Sequence, residues 1–297
     1  LTSIHQVALR MLCISEMTNS AHAFFRDGQD DIQSRYQAIS QDSRYRHYVR
    51  IPERICRCLD YFKVSSSGQA VKERLHSYYV FIGVVDDLID SRALDAGKEI
   101  LEQLENRNPI FDQGTMESQA KLATEVFKCH INPETYPEIL ARLEELYRAV
   151  ESERKSTTMK VYIAQRKVIG SLTAEVSYLL IRPLLEGEHK DLRRFLQRVG
   201  EVGCLMDSVI DLPADARLGL LSFSPTVNDH LYLTSQMLRD GLRILLKHTR
   251  LLGLFLEAIT DNLLDFRFRT GGHPAPGTDG PRAAQPASCP ALQMPGS

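Results

Sequence analysis

Apolar residues recur at three- and four-residue steps along nearly the whole chain, and charged residues fill the positions between. Ile100–Leu104, Ile139–Val150 (ILARLEELYRAV), Leu192–Ile210 and Leu242–Leu264 (LRILLKHTRLLGLFLEAITDNLL) all follow this rule. Such spacing gathers apolar side chains onto one stripe of an α-helix. Alternating strand patterns bounded by Asn-Gly or Asp-Gly turns do not occur. The pattern predicts an all-α chain of about eight to ten helices, built as a single-domain bundle. Neither an internal repeat nor a composition break interrupts residues 40–270. The expected division is an N-terminal extension over residues 1–50, a helical domain over 51–270, and a tail over 271–297. Within the extension, the polar stretch 27–50 predicts a surface helix or loop. The tail holds six prolines and few bulky apolar residues, so it cannot bury enough surface to offset chain entropy and is expected to be disordered.

Two stretches break the usual separation of apolar and acidic positions. Tyr78–Ser91 reads YYVFIGVVDDLIDS, an apolar run driven straight into Asp86, Asp87 and Asp90. On a helix, Asp86 and Asp90 project from one face, where like charges repel. Later, VGEVGCLMDSVIDLPADARLGL places Asp207, Asp211 and Asp215 at steps of four, again after an apolar segment. A solvated helix end is the plain explanation of one such ladder. Two ladders launched from apolar helices favour a shared cation, and hard carboxylate oxygens suit Mg²⁺ around a phosphorylated ligand. Pro213 is expected to kink or end the helix between Asp211 and Asp215.

Between the ladders, QRKVIGSLTAEVSYLLIRPLL (Gln165–Leu185) has helical period but contains Gly170-Ser171, a pair that commonly marks a kink. A break there would turn carbonyls toward a cavity, and close helix packing at Gly170 is the alternative. Arg166 and Lys167 stand one turn earlier, placed to grip an anion or simply to meet solvent.

Composition narrows the classes. A formal charge of −2 and 25% charged residues give no basic excess for nucleic acid. Cysteines 13, 56, 58, 129, 204 and 289 are scattered, and Cys56-x-Cys58 lacks the second pair or nearby histidines of a zinc site. The most apolar run, Ser171–Leu185, contains Glu175, Arg182 and Pro183, so no transmembrane segment is expected. A cytoplasmic protein is the reading, with peripheral attachment to a membrane left open. His76, His130 and His189 are isolated, and paired Glu-x-x-His motifs of a di-iron bundle are not apparent.

Taken together, these residues resemble the all-α isoprenoid (terpenoid) synthases, particularly the squalene/phytoene synthase branch. VDDLID resembles that branch's first aspartate-rich motif, and RVGEVGCLMDSVIDLPAD its second, with Asp211 and Asp215 as the paired acids and Asp207 where an asparagine is usual. IGSLTAEVSYLLIRPLL is similar to the small-residue helix placed before it. The resemblance runs from about Ser65 to Pro225. It departs at Val84 and Ile210, where the branch has arginines, at Cys204, where glutamine is usual, and at Arg166-Lys167, which replace an aromatic pair. Other features resemble metal-dependent terpene cyclases: Asp207, Asp211 and Asp215 match their i, i+4, i+8 ligand spacing, and Arg166 with Gly170 resembles a diphosphate-sensing arginine before a helix-break glycine. Ile169 stands where those enzymes place an acid between the two.

The resemblance implies Mg²⁺, up to about three ions, on Asp86, Asp87, Asp90, Asp207, Asp211 and Asp215. Arg166, Lys167 and Gly170 would act on the leaving group of a prenyl diphosphate, C15–C20 in size, inside a cavity walled by Tyr79, Phe81, Tyr178 and Leu205. The expected activity is a terpene synthase acting on a single substrate. Head-to-head prenyl diphosphate condensation is the alternative, and a non-catalytic helical assembly or binding protein the remoter one. No G-x-G-x-x-G follows a strand to suggest NADPH. A homodimer is compatible with the pattern.

Overall fold

A computed structural model describes residues 29–92, 95–105 and 116–261. The proline-rich tail and the first 28 positions of the extension therefore lie outside the described residues. Helices α1 (Gln29–Ser40), α2 (Arg46–Tyr61), α3 (Gly68–Arg92), α4 (Asp95–Glu105) and α5 (Met116–Cys129) are followed by α6 (Tyr136–Arg154), α7 (Met159–Ile181), α8 (Lys190–Leu218) and α9 (Val227–Lys247). Residues 252–261 form a further helix, α10. Among the described residues there is no strand, only an isolated bridge pairing Ser66 with Leu185. The chain is all-α.

Local chemistry sets the ends of the helices around the acids. Thr158 opens α7 from an extended conformation, its hydroxyl accepting from the Val161 amide. Thr226 and Asp229 form a reciprocal capping box at α9, which satisfies two amides that a helix start leaves unpaired. Gly219 closes α8 in the left-handed region at φ 71°, and the Leu220 amide reaches back to the Asp215 carbonyl.

α7 and α8 pack along one another more extensively than any other pair. The reason is Gly170 facing Gly200: a Cβ on either would overlap the other's carbonyl oxygen. The predicted break at Gly170-Ser171 is thus absent, and α7 runs as one 23-residue helix. The glycine permits backbone approach instead of a kink. Pro213 likewise does not end α8, which continues through it to Leu218. The proline is exposed, so solvent can take the carbonyl that loses its intrahelical donor. Asp215 consequently stays in register with Asp207 and Asp211.

Two other expectations change. The long period over Leu242–Leu264 is interrupted at His248, where α9 ends in a 3₁₀ turn over Thr249–Leu251. The His248 Nδ1 lies 3.2 Å from the Tyr61 hydroxyl, and its ring packs edge-on to Phe195, anchoring the corner. Residue 50, where the helical domain is expected to begin, lies within α2, and Tyr48 of that helix reaches Asp86 of α3.

Candidate active site

A cavity of about 270 Å³ lies between α2, α3, α7, α8 and α10. Its chemistry changes along its length. Tyr48, Asp86, Arg166 and Asp207 line one end; successive turns add Ile51, Ile82, Ile169, Gly170, Gly200 and Gly203; Cys58, Tyr79, Ser177, Phe195 and Leu196 line the other. Arg166 to Ser177 on α7 and Asp207 to Phe195 on α8 are eleven and twelve residues apart, so the lined length is about 17 Å at 1.5 Å per residue.

The first acidic cluster ends α3, whose preceding turns are buried at Tyr78, Val80, Phe81 and Val84. Tyr48 donates its hydroxyl to Asp86 Oδ2 at 2.9 Å. Asp86 is exposed and stands at the mouth of the cavity it lines. Desolvation by the surrounding protein pushes its carboxyl up, and the neighbouring Asp87 adds to the shift while Tyr48 and Arg166 oppose it. Asp87 is held from the other side, accepting from Arg44 Nη1 at 2.8 Å and from the Tyr45 hydroxyl at 3.0 Å. Asp90 pairs with Arg154 Nη2 at 2.7 Å. Even so, its carboxyl is pushed up to about 7, first by desolvation and then by Asp86, with Asp215 and Glu153 contributing.

Asp215 therefore matters to Asp90, although 125 positions separate them. The converse holds. Desolvation and Asp211 push Asp215 up to about 6, and Asp86 contributes from α3. Carboxyls of α3 and α8 thus lie within electrostatic reach of one another. Arg166 stands between them. Its Nε donates to Ser208 Oγ at 2.7 Å and its Nη2 to the Cys204 carbonyl at 3.3 Å. Desolvation works against its charge, yet Cys204, Tyr162, Glu153 and Asp207 outweigh it and hold the guanidinium protonated.

The remaining expected residues divide. Tyr79 lines the cavity, its hydroxyl 3.0 Å from Ser177 Oγ, and burial pushes its pKa up to about 12. Phe81 does not line it but stacks on Phe127 at 4.7 Å in the core. Tyr178 is buried beneath Arg193, and Leu205 belongs to a separate cluster with Met159, Tyr162 and Leu233. Lys167 points away from the acids and is paired with Asp240 on α9. Helical period does not say which face turns inward, which is why Phe81, Tyr178 and Leu205 were expected on the wall beside Tyr79. Conversely, Arg44, Tyr45, Tyr48, Glu153 and Arg154 were not anticipated. Glu153, whose carboxyl burial pushes up and which feels both Arg166 and Asp86, ends α6 in an ordinary charged run. Only contacts between helices reveal these five.

The raised carboxyls have a measurable consequence. A carboxyl whose folded pKa exceeds its ordinary value costs stability once ionised; that cost is absent below about 4 and grows as pH rises through the folded value. For Asp215 and Asp90 the windows end near 6 and 7. The metal-free protein should therefore lose stability between about pH 4 and pH 7 on their account. Asp215→Asn should raise the metal-free melting temperature at about pH 8 by on the order of 2–4 °C, and leave it unchanged near pH 4. Thermal denaturation followed by circular dichroism at both pH values checks this.

Among the described residues, no three His, Cys, Asp or Glu side chains stand close enough together to form a ready metal cage. Comparison with known proteins adds no family: no family model matches the chain, and neither a curated protein nor a solved structure matches it significantly.

Proposed function

We propose that the cavity ionises a prenyl diphosphate with Mg²⁺, releasing diphosphate and letting the allylic cation cyclise or rearrange to a terpene, on a scaffold of the squalene/phytoene-synthase type. The observation that carries this reading is that Asp86 of α3 and Asp207 of α8 line the same end of a mainly apolar cavity, with Arg166 beside them. Carboxyls that raise one another's pKa are an unfavourable arrangement for a protein with no cation to place among them.

The donor set suits Mg²⁺. Asp86, Asp90, Asp207, Asp211 and Asp215 supply hard oxygens, and Mg²⁺ takes only one or two protein carboxylates when substrate phosphates and water complete its shell. A separated pair of rows, without a three-acid cage, is compatible with that division of ligands. When bound, Mg²⁺ would neutralise charge developing on the diphosphate as the C–O bond breaks. The chain's own residues do the rest. Arg166 presents a fixed positive charge already oriented by Ser208 and the Cys204 carbonyl, so little reorganisation accompanies charge development. Tyr48 fixes Asp86. The walls from Ile82 and Ile169 down to Phe195 and Leu196 exclude water from the cation, and the Tyr79 and Phe195 rings offer π-faces that attract positive charge.

Incubation with C10, C15 and C20 prenyl diphosphates and Mg²⁺, followed by mass analysis of the products, tests the reading. It predicts diphosphate release and a hydrocarbon or alcohol of unchanged carbon number. A doubled carbon number assigns head-to-head condensation instead. Absence of diphosphate release with all three removes the catalytic assignment.

A further inference from the structure

The outer faces of α9 and α10 carry a stripe of large apolar side chains that the described residues leave uncovered. Val227, Leu231, Leu238, Leu242 and Leu246 are between 57% and 78% exposed. At 100° per residue they fall within roughly a 100° sector of α9. The opposite side of the same helix is already satisfied, with Leu233 and Ile244 buried. Arg239, Arg243 and Lys247 repeat at steps of four along one flank of the stripe, and Arg250 follows in the turn beyond; all four are exposed. Asp240, within that row, pairs with Lys167 through Oδ2 and through Oδ1 with Arg239 Nε at 3.4 Å and Arg243 Nη1 at 3.3 Å, so one carboxylate is shared by three cations and the row keeps a net positive charge. α10 continues the pattern: Leu252, Leu256 and Ile259 are exposed, while Leu254, Phe255 and Ala258 on its other side line the cavity.

Two properties of this face select its occupant. Val227 to Leu246 spans roughly 28 Å and a helix face is about 10 Å wide, giving on the order of 300 Å², or about 400 Å² with α10. A stable dimer buries about 800 Å² on each partner, so a second copy would be poorly held. Aliphatic side chains beside a row of Lys and Arg are instead the composition of a helix that lies in a lipid interface. No described helix is long and apolar enough to cross a membrane. We infer that α9 and α10 dock onto an anionic lipid surface, with the leucines at the boundary between headgroups and acyl chains and Arg239, Arg243, Lys247 and Arg250 on the lipid phosphates. The docking does not depend on the catalytic reading. It does set α10, the helix whose inner side lines the cavity, against lipid, where apolar molecules dissolve.

The test is flotation of the full chain on a density gradient with vesicles of phosphatidylcholine containing phosphatidylserine, and with phosphatidylcholine alone. The wild-type chain should float with the anionic vesicles and much less with the neutral ones. Leu238→Asp/Leu242→Asp should reduce binding by at least about 10-fold. Arg243→Gln/Lys247→Gln should reduce it by about 30-fold on anionic vesicles, at about 1 kcal/mol per basic residue, and hardly at all on neutral ones. Because all four side chains are exposed, unchanged circular dichroism should accompany both losses. Failure of the wild type to float would overturn the proposal, as would flotation that survives the aspartate substitutions. A dimer in sedimentation that these substitutions convert to monomer, with no vesicle binding, would assign the face to a second copy.

Discussion

In an Asp86→Ala/Asp90→Ala protein, Mg²⁺-dependent release of diphosphate from a prenyl diphosphate should fall by on the order of 10³-fold. The double substitution leaves α8 with its own acids but removes the facing row. A metal that polarises a phosphoryl oxygen supplies several kcal/mol of transition-state stabilisation, and each 1.36 kcal/mol is a factor of ten in rate. The loss should not reflect unfolding. Asp86 and Asp90 are carboxyls whose ionisation the folded protein disfavours, so removing them should hold or raise the metal-free melting temperature. Diphosphate release measured beside thermal denaturation separates the two effects. An unaltered rate in a folded protein would mean that the α3 acids take no part.

Gly170→Ala should destabilise the protein by on the order of 3 kcal/mol, at the upper end of overpacking costs, because the clash is with backbone. An added Cβ would meet the Gly200 carbonyl, so α7 and α8 must move apart. That movement would displace Arg166 from Ser208, which joins the same two helices one turn away. Gly203→Ala is the control. Gly203, on the facing helix α8, also lines the cavity, but a Cβ there has nothing within 4 Å. It should be neutral or stabilising by up to about 1 kcal/mol through helix propensity. Urea midpoints of the two variants decide the comparison. Equal midpoints would show that the close crossing at Gly170 is not tight.

How much of this could be read from the chain depended on whether a feature is local. Helical period is local, and it gave the all-α class and the approximate span of α6 and α8. Acidic spacing is local too, and Asp86 and Asp207 do line the cavity. Conformational punctuation was less legible. Gly170-Ser171 and Pro213 carry the composition of breaks, but in this fold the glycine serves the crossing with Gly200 and the proline faces solvent, so both helices continue. Which side of a helix faces inward was not legible at all. Tyr79 and Phe81 are two positions apart and both buried, yet one reaches the cavity and the other stacks on Phe127. The partners of the acids were hidden for the same reason. Tyr48, Arg154 and Glu153 come from α2 and α6, and no spacing rule links them to α3 or α8. The exposed stripe of α9 was hidden by its likeness to a core stripe: Leu242 and Leu246 fit helical period as well as Ile244 does, and exposure alone separates them.

The central claim is that carboxylates from α3 and α8 share metal ions with a diphosphate. Electron paramagnetic resonance of Mn²⁺, substituted for Mg²⁺ and titrated into the protein with inorganic pyrophosphate, addresses it without relying on turnover. The prediction is that pyrophosphate-dependent Mn²⁺ binding is lost in Asp86→Asn/Asp90→Asn and equally lost in Asp207→Asn/Asp211→Asn, with no further loss when the two pairs are combined. Binding that survives the loss of either pair, or declines independently for each, would contradict a shared site.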